Sequence, residues 1–149
     1  MGKTNLKWKN ISKQDLESDF SKLLNFYNYD VKPKHVALSL DDIQELGVNL
    51  SKGSTSEIHK AKYTQLDNAI MFYSNPNKND TKELIRHFKN LVSHPENIKK
   101  GTIEGETCYR IYDFKPGNPR KESMKGVISV EAWRKFTNEI MKKISDHLN

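Results

Sequence analysis

The chain has 149 residues, 35% of them hydrophobic and 30% charged, with a mean hydropathy of −0.82. This length suits one domain over residues 1–149, and the 6 Phe, 6 Tyr and 2 Trp argue against a disordered chain because aromatic side chains need burial. The formal net charge of +6 indicates an anionic partner, with nucleic acid ahead of acidic proteins and membrane head groups.

The single cysteine, Cys108, excludes an intramolecular disulfide and lacks metal-ligand spacing. We therefore expect a reducing, cytoplasmic location, no metal and no cofactor, with Cys108 buried in a strand. No apolar run approaches the length that spans a membrane, and residues 1–10 lack the apolar core of a signal peptide. We accordingly expect no membrane partner.

The first half of the chain predicts one long and one short helix after a loose arm over residues 1–11. Ser12 is a capping residue, and apolar side chains then recur at helical spacing, which predicts a helix over residues 13–29. Ser39 opens a short helix that Gly47 is expected to end.

The middle of the chain predicts two further helices. Ser54 with Glu57 has the spacing of a capping box, and the apolar residues after it predict a long helix over residues 55–74. The next helix is predicted over residues 81–94, where Pro95 stops it.

The end of the chain predicts a hairpin, a loop and a last helix. β-prone residues within 102–112 flank a turn, residues 115–126 are rich in Pro and Gly, and Ser129 caps the closing helix. Together these elements predict a mainly α fold. We expect a small bundle of about four long helices, with a short helix and a β-hairpin insertion before the last helix.

The helix over residues 81–94 divides into two sides on a helical wheel. The side predicted to face the core carries Leu84, Ile85, Phe88, Leu91 and Val92. The side predicted to be polar carries Arg86, His87, Lys89, Asn90, Ser93 and His94. A solvated helix face is the ordinary explanation of such a side. Here, however, it holds basic residues and no carboxylate, with Arg86, Asn90 and His94 spaced i, i+4 and i+8.

The segment from Leu84 to His94 resembles the signature helix of HEPN-domain proteins. In that family an arginine, usually followed by asparagine or another polar residue, precedes a histidine by four to six intervening residues. Asn90 and His94 match the polar residue and the histidine, and Arg86 with His87 matches a common upstream pair. The sequence departs from the pattern at Lys89, which stands where the family has arginine.

The resemblance implies a small, often dimeric helical bundle and a metal-independent RNA endonuclease, within a toxin–antitoxin or anti-phage system. His94 would be the general acid or base and Asn90 would orient it or the phosphate. Lys89 or Arg86 would stabilise the phosphorane. RNA, a second copy of the chain and a cognate antitoxin are the implied partners. The alternatives are a catalytically degenerate domain that binds RNA or a protein partner, and a helical adaptor without RNA.

Four further residues are predicted to contact RNA. His87 and Ser93 lie on the polar side of the motif helix, and Arg110 and Tyr112 lie in the hairpin. Aromatic residues interleaved with basic ones stack on bases, although the alternation of a half-buried hairpin explains the second pair equally well.

Overall fold

A computed structural model describes residues 7–31, 39–115, 117 and 121–148. Over these residues, six strands form one sheet. The strands are β1 Lys9–Asn10, β2 Asn49–Lys52, β3 Ala69–Phe72, β4 Ile98–Ile103, β5 Glu106–Lys115 and β6 Lys121–Ser129. Their order in the sheet is β1-β4-β5-β6-β3-β2, in which β2 and β3 are parallel and the other neighbours antiparallel. The prediction of a mainly α helical bundle is therefore wrong, and the fold is mixed α/β.

Five helices accompany the sheet in the described part of the chain. Helix α1 covers residues 13–31 and alternates α-helical and π-helical turns. The others are α2 Leu40–Gln44, α3 Thr55–Lys60, α4 Asp80–Ser93 and α5 Val130–Leu148, with short 3-10 turns at Tyr63–Gln65 and Pro95–Asn97.

The main core lies between one face of the sheet and helices α1, α2, α4 and α5. Phe20 of α1, Phe88 of α4 and Trp133 of α5 are all buried there, against strand residues such as Tyr109 and Ile111. Helix α3 lies on the other face, where the Lys125 ammonium of β6 donates to the carbonyls of His59 and Ala61 at 3.0 and 2.8 Å. Residues alternate between faces along a strand, so neighbouring residues of β6 serve different layers.

Predictions that rest on local capping and turn chemistry are confirmed. Ser12 accepts a hydrogen bond from the Asp15 N–H, Ser54 forms its capping box with Glu57, and the Ala132 N–H donates to Ser129. The hairpin forms between β4 and β5, and its turn residues Glu104 and Gly105 both have positive φ, as a tight hairpin turn requires.

The helix predicted over residues 55–74 is wrong beyond Lys60. The chain is extended at Ala61 and then enters β3, where Ile70 and Phe72 face the main core. A short apolar run in a strand that is covered on both faces has no clear two-residue period, so sequence periodicity does not separate it from a buried helix.

The loop predicted over residues 115–126 is also wrong in large part, because Lys121–Ser129 is a central strand. Two residues of this strand argued against it in the sequence, because lysine and glycine are both uncommon in strands. They are Lys125, which is buried in the structure, and Gly126. Gly126 is needed there because a Cβ atom would lie 3.0 Å from Ile70 Cγ1 and 3.1 Å from the Ala69 carbonyl. Of the arm predicted over residues 1–11, residues 1–6 lie outside the described range, and Lys9–Asn10 form β1.

Candidate nucleic-acid interface

The motif helix is α4, and its bounds agree with the prediction to within one residue. Asn79 caps it by accepting a hydrogen bond from the Lys82 N–H at 3.1 Å, and the helix ends at Ser93, before Pro95. Leu84, Phe88 and Leu91 are buried in the main core, so the opposite side of the helix faces solvent.

Three basic residues form an exposed row along that outer side. Lys82, Arg86 and Lys89 are spaced i, i+4 and i+7 and are all exposed. We refer to these three residues as the basic face of α4. Ser93 continues the row, and His94 lies at the helix end with 63% of its side chain exposed. Within the described residues, neither Lys82 nor Lys89 forms an ion pair, so their charge is available to an external anion.

Arg86 forms an ion pair with Glu83 of the same helix. Its Nε lies 3.1 Å from Glu83 Oε2 and its second guanidinium nitrogen lies 3.3 Å from Oε1. Burial alone would raise the pKa of Glu83, but the hydrogen bonds from Arg86 and the Asn75 N–H outweigh it and lower that pKa. Arg86 remains 48% exposed, so the guanidinium still has donors that face solvent.

His87 does not lie on the polar side, which corrects the predicted placement. Its side chain is 0% exposed, with Nδ1 2.8 Å from Asp113 Oδ2 and Nε2 2.8 Å from the Tyr73 carbonyl. A carbonyl and a carboxylate both accept hydrogen bonds, so each ring nitrogen of His87 faces an acceptor. The buried ring joins α4 to the sheet and is not accessible to RNA.

Asn90 faces the same carboxylate and not His94. The Asn90 Nδ2 donates to Asp113 Oδ2 at 2.9 Å, whereas the His94 Nδ1 lies 3.5 Å from Glu96 Oε2. The predicted pair of Asn90 and His94 is therefore not brought together by a hydrogen bond in the described structure. Lys89 and His94 are both exposed, Lys89 on α4 and His94 directly after its last residue.

Asp113 is the residue that the sequence reasoning missed. It lies on β5, where Tyr109, Ile111 and Asp113 occupy the face toward the main core. Burial alone would raise the pKa of Asp113, but hydrogen bonds from His87, Asn90 and the Phe114 N–H outweigh it and lower that pKa. The signal in the sequence was an aspartate at a position where the two-residue period of the strand predicts a side chain facing the core.

Arg110 and Tyr112 lie on the other face of the sheet, away from α4. The Arg110 guanidinium is held between the rings of Trp8 and Tyr63, 4.9 Å from each ring centre. Tyr112 packs edge-on against Phe114 at 5.1 Å. The two RNA contacts predicted in the hairpin therefore belong to a separate surface from the basic face of α4.

Cys108 is a free, buried strand residue, as predicted, and burial raises the pKa of its thiol. Within the described ranges, no group of three or more His, Cys, Asp or Glu side chains has a geometry that would hold a metal ion. None of the described helices is long and apolar enough to cross a bilayer.

Comparison with protein-family models, curated proteins and solved structures finds no match to this chain.

Proposed function

We propose that this protein binds RNA through the basic face of α4. The observation that carries the proposal is the exposed row of Lys82, Arg86 and Lys89, in which both lysines are without an ion-pair partner among the described residues. Phosphates supply most of the affinity in RNA binding, and a row of cations on one rigid helix matches a row of phosphates. The net charge of +6 supports the same kind of partner.

The proposal predicts that the double variant Lys82→Gln/Lys89→Gln binds single-stranded RNA about tenfold more weakly than the unaltered protein at low salt. Each lost phosphate contact on a single strand reduces the magnitude of the negative slope of log affinity against log salt by about 0.7, so we expect the slope to become less steep by about 1.4. Fluorescence anisotropy with a labelled RNA of mixed sequence, measured at several salt concentrations, gives both quantities.

The matched control is Lys135→Gln/Lys142→Gln, which removes the same charge from exposed positions of α5. An equal loss of affinity and of salt slope in both double variants would assign binding to net charge and contradict a site on α4. Absence of RNA binding by the unaltered protein would leave a protein partner as the explanation of the charged row.

RNA cleavage without a metal is the second candidate, and the exposed imidazole of His94, directly after the last residue of α4, favours it. RNA carries its own nucleophile, the 2′-hydroxyl, so a histidine that moves protons and a lysine that binds the phosphate are sufficient residue types. Lys89 is the exposed cation nearest to His94 along the helix. The cytoplasmic location favoured by the single cysteine, and the homodimer and antitoxin implied by the HEPN resemblance, belong to this candidate.

If His94 acts as the general acid or base, His94→Ala lowers the cleavage rate in EDTA by about 100-fold or more. We expect its RNA affinity to stay within about twofold, because the lysines that bind phosphate remain. Cleavage of labelled RNA by the two purified proteins measures the first effect and anisotropy measures the second.

His59→Ala is the control for this experiment, because His59 is an exposed histidine of α3 on the other face of the sheet. Full activity of His94→Ala would exclude His94 from the chemistry. Inactivity of the unaltered protein, together with RNA binding, would leave binding as the function.

A further inference from the structure

A cleft of about 320 Å³ opens beside the first half of α4. Residues from α4, from the ends of β5 and β6, and from the segment between β3 and α4 line it, among them Tyr73, Lys78, Glu83, Arg86, Lys115 and Ser123. Its volume lies at the lower end of the range of about 300–1,000 Å³ for small-ligand sites, which suits a ligand of one nucleotide.

The charge in this cleft is positive and incompletely balanced. Lys78, Arg86 and Lys115 supply three cations, and Glu83 is the one carboxylate among the residues that line it. Glu83 already accepts hydrogen bonds from Arg86 and from the Asn75 N–H. Neither Lys78 nor Lys115 has an ion-pair partner among residues that the structure describes, so two ammonium groups have no internal counter-charge.

The cleft also contains an aromatic surface and a buried hydroxyl. The Lys115 ammonium lies 5.0 Å from the centre of the Tyr73 ring, which places a cation beside a flat apolar surface. Ser123 is 3% exposed, and it is one of the residues that line the cleft. Cations, a hydroxyl and a ring in one small cleft match the parts of a nucleotide, namely phosphate, sugar and base.

We propose that this cleft binds the terminal phosphate of a nucleotide, with the phosphate between Lys78, Arg86 and Lys115 and the nucleoside against Tyr73. A terminal phosphate monoester carries a charge of about −1.5 to −2 at neutral pH, more than the single charge of a phosphodiester. Three cations around one carboxylate therefore favour the monoester. The ligand is an RNA end or a free mononucleotide, and the first source rests on the proposed RNA-binding function.

The test compares three labelled RNAs of one sequence, with a 5′-phosphate, a 3′-phosphate or only hydroxyl ends. We expect one of the phosphorylated RNAs to bind about tenfold more tightly than the hydroxyl-ended RNA. We expect Lys78→Gln/Lys115→Gln to abolish this preference and Lys135→Gln/Lys142→Gln to retain it. Direct titration of the protein with AMP, with adenosine as the comparison, tests the free mononucleotide.

The outcomes separate the two proposals. Equal affinity for all three RNAs, with no binding of AMP, overturns the terminal-phosphate site and leaves RNA binding at α4 intact. Binding of AMP but not adenosine, lost in Lys78→Gln/Lys115→Gln, supports the cleft even if no RNA binds, and the ligand is then a free mononucleotide. A phosphate preference that survives in Lys78→Gln/Lys115→Gln places the terminal phosphate elsewhere and also overturns the proposal.

Discussion

Replacing Asp113 by alanine is expected to lower the free energy of unfolding by about 3–5 kcal/mol. Asp113 accepts hydrogen bonds from the His87 ring and the Asn90 amide, and all three side chains lie at the junction of α4 and β5. The variant leaves the fully buried ring of His87 without the acceptor that its Nδ1 faces, and removing one partner of a buried polar pair is strongly destabilising. Urea denaturation followed by circular dichroism measures the change.

Asp67→Ala is the matched control, because Asp67 is exposed, and we expect it to change stability by no more than about 0.5 kcal/mol. The dependence on pH supplies a second check. The pKa of Asp113 is held below the usual 3.8, so below about pH 4 the unfolded chain binds the proton more readily and stability falls as the pH falls. Asp113→Ala should show a shallower loss of stability in this range. A loss of stability no larger than in Asp67→Ala would contradict the structural role of Asp113.

Replacing Asp19 by alanine is expected to cost about 2–4 kcal/mol of unfolding free energy. The buried carboxylate of Asp19 accepts from the Tyr109 hydroxyl and from Arg134 Nε, the latter at 3.0 Å. The variant leaves the Tyr109 hydroxyl buried without this acceptor. Denaturant unfolding gives the free energy, and near-ultraviolet circular dichroism reports the packing of Trp133, whose Nε1 donates to the Asp19 carbonyl at 2.7 Å.

Arg134→Gln separates the two partners of Asp19. The Arg134 side chain is 52% exposed, so we expect its loss to cost no more than about 1 kcal/mol. Burial and the nearby Asp19 carboxylate raise the pKa of Tyr109, so the phenol stays protonated and keeps donating at neutral pH. Equal costs for Asp19→Ala and Arg134→Gln would show that the exposed ion pair, and not the buried hydroxyl, accounts for the stability.

The start of most helices and the position of the hairpin turn followed from local chemistry. The side chains of Ser12, Ser54 and Ser129 each accept a hydrogen bond from the backbone N–H three residues later. The hairpin turn depends only on the positive φ angles of its two central residues, Glu104 and Gly105. Such interactions form between residues that are close in the chain, so they leave a signal in the sequence.

The identity of β3 and β6 depended on the layers that cover them. Ala69–Phe72 and Lys121–Ser129 become strands because neighbouring strands pair with them and side chains cover both faces. Non-local pairing leaves no clear periodicity in such segments, and this is why a helical bundle was predicted where a sheet forms.

In the candidate site, too, some placements were predictable from the sequence and others depended on the tertiary structure. Lys89 is exposed because the apolar period of its helix turns it toward solvent, and this was predictable. His94 is exposed because α4 ends at Ser93 and the backbone leaves the helix at His94. His87 lies three residues after Leu84 and four before Leu91, on the buried stripe. A histidine is tolerated there because Asp113, 26 residues later in the chain, supplies its acceptor. The sequence by itself determined that Arg86 and Lys89 of α4 reach solvent, whereas only the tertiary structure placed the carboxylate that makes a buried histidine stable.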